Sequence, residues 1–89
     1  MATANVPLTR AGGWVKIAED TDDAFCASSR FQQELEYAAW ATDEDPTVGE
    51  GAALSNGMAA SRASHPTGFV FVRIAPRSNE STAVVVVTK

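Results

Sequence analysis

The chain has one cysteine, one histidine and seven cationic side chains in 89 residues, and each scarcity excludes something. Cys26 has no second cysteine to form an internal disulfide, and no thiolate cluster exists to hold zinc or iron–sulfur. Seven Lys and Arg stand against eleven Asp and Glu, a formal charge of -4. The cations Arg10, Lys16, Arg30, Arg62, Arg73, Arg77 and Lys89 are scattered singly. That balance argues against a nonspecific nucleic-acid binder, whose phosphate contacts need a basic face. There is no long hydrophobic span, and the opening MATANVPLTRAGG lacks the cationic start and apolar run of a signal peptide. The expectation is a soluble protein with neither a nucleic-acid nor a membrane partner, and with no cofactor.

A mass of 9.4 kDa allows one domain, residues 1–89, with a flexible N-terminal arm at about 1–12 that contains Pro7 and Gly12. Area scaling predicts roughly 5,000 Å² exposed on folding and about 63% of the extended chain's surface buried, so the core is thin.

The patterning is that of strands between polar punctuation. Trp14–Glu19 (WVKIAE) reads as a first strand, EDTDD as a wet turn, and Ala24–Ala27 (AFCA) as a second strand that continues toward Ser29. RFQQELEYAAWAT has two readings. A helix would align Phe31, Leu35, Ala38 and Ala39. A strand over Leu35–Thr42 puts Leu35, Tyr37, Ala39 and Ala41 on one face and Glu36, Ala38 and Trp40 on the other. The strand is favoured because the neighbouring segments need sheet partners. From Asp43 to Thr67 the pattern fades into turns and a long excursion, with a short strand at Ala52–Leu54. Gly68–Pro76 (GFVFVRIAP) alternates Phe69, Phe71 and Arg73 against Val70, Val72 and Ile74, and Val84–Val87 form a last strand with apolar groups on both faces. Five or six short antiparallel strands predict an all-β fold, a small β-sandwich or partly closed barrel, ahead of an α+β domain.

Chemical constellations are weaker. His65, near Ser61 and Ser64, titrates near neutrality, but no nucleophile motif accompanies it. Cys26, between Phe25 and Ala27, reads as a small hydrophobe. The acidic groups at 19–23 and 43–45 lack the spacing of a calcium loop and read as solvated turns. No catalytic, cofactor-binding or metal residue is assigned, and the protein is read as noncatalytic. Trp14, Tyr37, Trp40, Phe69 and Phe71 suit a core or a recognition patch. The sharper reading assigns Trp40, Val84, Val85, Val86 and Val87 to a subunit or host-particle interface.

Taken together, GGWVKIAE, ELEYAAWAT, GEGAAL, GFVFVRIAP and STAVVVVTK resemble, from Gly12 onward, the small accessory structural proteins of tailed bacteriophages. The resemblance implies a compact β module located in the virion. Such a module decorates or stabilises the capsid by self-association and by contacts with the major capsid or other virion proteins. Head–tail joining or fibre attachment is the neighbouring role. The alternative from the residues alone is a β ligand-binding module for carbohydrate or peptide that uses exposed aromatics.

Overall fold

A computed structural model of the protein describes residues 2–30, 32–47 and 49–89. Phe31, part of the helical alternative's apolar stripe, lies outside them. The described chain is all-β: β1 (Thr3–Thr9), β2 (Val15–Ala18), β3 (Cys26–Ser29), β4 (Glu34–Trp40), β5 (Ala52–Ser55), β6 (Ala59–Ser61), β7 (Phe69–Ile74) and β8 (Thr82–Thr88). Eight strands replace the expected five or six. They form two antiparallel sheets in a sandwich-like arrangement, and the sheets do not close into a barrel.

The two sheets share one plan. Sheet A runs β1-β8-β3-β6 and sheet B runs β2-β7-β4-β5. Each strand of A is joined over one end of the molecule to the strand in the matching place in B: β1 to β2, β8 to β7, β3 to β4 and β6 to β5. The fold is therefore equivalent to one four-stranded sheet of long strands, folded in half across its width. Crossovers at 10–14, 56–58 and 75–81 and the link from β3 to β4 form the arch end, while Ala2, Lys89, the loops 19–25 and 62–68 and the described residues between β4 and β5 gather at the open end.

The arch end is where backbone conformation matters most. Asn56 and Gly57 both have positive φ (51° and 83°), the requirement of a type I′ turn, and Met58 N donates to Ser55 O at 3.0 Å. Asn56 N donates to Gln33 O, and Ser29 N to Met58 O, binding the β3–β4 arch to the β5–β6 arch at the neighbouring edge. Across the other pair of arches the Arg10 guanidinium donates to the carbonyls of Ser78 and Glu80.

Between the sheets lie Leu8, Ala27, Ala60, Ala83, Val85 and Val87 from A, Ile17, Ala18, Leu35, Leu54, Val70, Val72 and Ile74 from B, and Phe25 from the loop before β3. Period-two alternation accounts for nearly all of them. The exception is consecutive Ile17 and Ala18, where a register shift in β2 turns both inward.

Two local expectations are corrected, and the favoured strand over Leu35–Thr42 is found as β4 (Glu34–Trp40). Thr3–Thr9, read as a flexible arm, pairs along its whole length with β8. Its inward residues Ala4, Val6 and Leu8 alternate around Pro7, whose presence hid the pattern. The excursion 43–67 holds β6 as well as β5. Helix over the ELEYAAW segment is excluded by its pairing with β5 and β7.

Candidate interaction faces

With the core between the sheets, each sheet keeps an outer face, and the two differ in chemistry. In sheet A, register places Thr3, Asn5, Pro7 and Thr9 of β1 beside Thr82, Val84, Val86 and Thr88 of β8. Next to these come Cys26 and Ser28 of β3, then Ala59 and Ser61 of β6. None of these side chains is charged. Pro7, Val84 and Val86 make an apolar patch across β1 and β8, with hydroxyls around it and Ala59 set apart on edge strand β6 beyond Ser28; Thr3 and Thr88 share a hydrogen bond at 2.9 Å.

Cys26 belongs to this face. It was expected as a packed hydrophobe, but its side chain is exposed, with Sγ 4.0 Å from the Ser28 hydroxyl. The alternation in β3 turns Ala27 inward and so turns Cys26 out.

The valine strand divides the same way. Val85 and Val87 are buried in the core, so the interface assigned to Val84–Val87 reduces to Val84 and Val86, half-buried on the outer face. Trp40 is also half-buried, but on the outer face of sheet B opposite Phe69. Trp40 and the valines therefore lie on opposite sides of the molecule and form no common site.

Sheet B's outer face is aromatic and charged. Glu36 pairs with Arg73 across β4 and β7, and Ala38 with Phe71. The Arg73 guanidinium lies 4.4 Å from the Trp14 ring centroid, and Lys16 Nζ lies 5.6 Å from that of Phe69. Trp14 reaches across the sheet to Gly51, where a Cβ would meet its Cη2 at 3.0 Å and the Tyr37 carbonyl at 2.7 Å. Only glycine lets that loop approach. Phe71, 3% exposed, is absent from the central core and is buried within this outer layer. On the same face Glu36, also 3% exposed, accepts at Oε1 from Arg73 Nε and Nη2 (3.1 and 3.0 Å) and from Gly51 N (3.2 Å). Such a buried carboxylate is tenable because charge-assisted bonds replace its lost hydration.

The polar groups of the open end act as loop fasteners. Arg62 donates to the carbonyls of Glu19, His65 and Gly68 and covers the Phe25 ring, while Gly68 N donates to Asp20 Oδ1 at 2.6 Å. Asp22 accepts from Glu19 N and pairs with Lys89, which lowers its pKa, the backbone bond being the larger cause. Lys16 pairs with Glu19 and Asp43, which raises its pKa. The acidic turns thus hold loops closed, and no three metal-ligating side chains converge among the described residues.

His65 packs edge-on against Tyr37, ring centroids 4.8 Å apart, and its Nε2 is buried with no hydrogen-bond partner among the described residues. Burial, then the Arg62 charge, lowers its pKa. The imidazole is directed at an aromatic ring, an arrangement that suits packing.

No protein-family model matches this chain, and neither a curated protein nor a solved structure matches it.

Proposed function

We propose that the protein is a noncatalytic structural component of a bacteriophage virion, a capsid decoration or stabilisation protein whose contact surface is the outer face of sheet A. The observation that carries the reading is the uncharged character of that face in a chain where 20% of residues are charged. An apolar centre inside a polar, uncharged rim is the anatomy of a protein interface. Strand edges offer a poorer route to association. Of the four edge strands, β6 and β5 are three and four residues long, β2 is irregular, and β1 carries Pro7.

The assignment to a phage particle rests on the sequence resemblance. A face built from one small four-stranded sheet holds weakly as a single contact, and repetition over a particle surface multiplies such contacts into firm attachment. Sedimentation with capsids of the parent virion tests the reading. Wild-type protein pellets with the capsids, whereas Val86→Asp, folded by circular dichroism, stays in the supernatant. Wild-type protein that never pellets, or a folded Val86→Asp that pellets equally, refutes it.

A further inference from the structure

We propose that copies of this chain associate head to tail, with Met58 at the arch end of one copy seated in an apolar cleft near the open end of the next. The cleft, about 280 Å³, is the mouth of the sandwich along its β1–β2 side, where Ala2, Ala4 and Val6 face Ile17 and Val87. It exists because the two strands are unequal. β1 has seven residues and β2 has four, so β2 covers only the arch-side part of β1. The inward side chains of β1 therefore emerge in order toward the open end: Leu8 is buried, Val6 half-buried and Ala4 exposed. Apolar groups that alternation directs inward are left there without a facing strand.

The complementary group is at the other end of the molecule. Met58 is the only large hydrophobic side chain exposed among the described residues. It follows the Asn56-Gly57 turn, which stands clear of the body: a Cβ at Gly57 would meet nothing within 4 Å. An unbranched thioether suits an irregular apolar slot. Ser29 N donates to Met58 O, which brings exposed Arg30 close to it. Charge sets the orientation. The arch-end loops carry Arg10, Arg30 and Arg77 against Glu80, whereas the open end sets Arg62 and Lys89 against eight Asp and Glu. At the cleft itself Lys16 pairs with Glu19 and Asp43, and Lys89 with Asp22, so three carboxylates meet two ammonium groups and leave one negative charge for Arg30. Unlike ends attract and like ends repel. A contact between two different surfaces repeats from copy to copy, giving a string or a closed ring rather than a dimer. It leaves the outer face of sheet A free and does not depend on the contact assigned there.

The test is light scattering of the full chain across a dilution series, with two variants that each disable one end: Met58→Glu, and Ala4→Arg at an exposed position. Folding is verified by circular dichroism, and Ala2→Arg takes the place of Ala4→Arg if that chain does not fold. The wild-type mass is expected to climb past that of a dimer as concentration rises and to fall on adding salt, while each variant alone stays monomeric. Mixed in equal amounts, the variants retain one intact cleft and one intact Met58 between them. Their mass is expected to rise toward twice that of the monomer and no further, an outcome that a contact between like surfaces does not give. A wild type that is monomeric at every concentration or stops at a dimer, a variant that associates as the wild type does, or a mixture that stays monomeric overturns the proposal.

Discussion

His65 illustrates how a residue with chemical promise becomes a packing element. Its ring lies against Tyr37, its Nε2 has no described partner, and Arg62 adds a nearby positive charge. The folded chain therefore binds a proton at this site less readily than the unfolded chain, where the pKa is about 6.5. The unfolded state takes up the extra proton first, so stability is full above 6.5 and falls as pH drops from there toward the lowered folded value. Asp22, also lowered, adds a second loss as pH falls below 3.8. Urea unfolding between pH 7 and 5 should show the first decline in the wild type and a flatter profile in His65→Leu. A wild-type profile flat over that interval contradicts the packing account. Nothing in the sequence around His65 distinguished this outcome, because the partner ring comes from a strand distant in the chain.

At the level of elements, legibility followed alternation. β4, β7 and β8 are long enough for period two to be evident, and their face assignments agree with the observed register. β5 was read as a short strand at Ala52–Leu54, whereas β6, three residues long, is too short for a pattern to emerge. The missed signal was Asn56-Gly57, a dipeptide suited to a type I′ turn, set between AALS and MAAS. β1 was missed for the opposite reason. Its pattern was complete, but Pro7 argued against a strand, and that rule holds only where the missing N–H would have been needed. Ala2 and Lys89 exchange both backbone bonds, and Arg10 N donates to Ser81 O, so alternation puts the Pro7 nitrogen on the free edge. Proline there interrupts the row of donors that another chain's edge would use. Replacing Pro7 with Thr restores a donor and should give concentration-dependent association by light scattering, with the far-ultraviolet spectrum unchanged. A mass identical to wild type at every concentration contradicts the edge-protection role.

For the whole molecule, folding one four-stranded sheet in half settles what is available for function. The exposed area of 4971 Å² agrees with the roughly 5,000 Å² expected from mass, so ordinary burial is reached without a partner. The two outer faces point in opposite directions, one uncharged and the other dense with aromatics and ion pairs. Sequence patterning identified Trp40 and the valine strand as surface candidates but could not show that they belong to different sheets. That separation depends on the crossovers at the arch end, which are formed by contacts between distant segments. The proposed contact role of the uncharged face can be tested through its own thiol, since Cys26 is exposed there and is the only cysteine. The decisive measurement is the rate of Cys26 alkylation in the free protein and on capsids of the parent virion, at equal reagent concentration. The account predicts strong slowing on the particle, with the free-protein rate restored on dissociation. Equal rates with the protein demonstrably bound would place the contact elsewhere and contradict it.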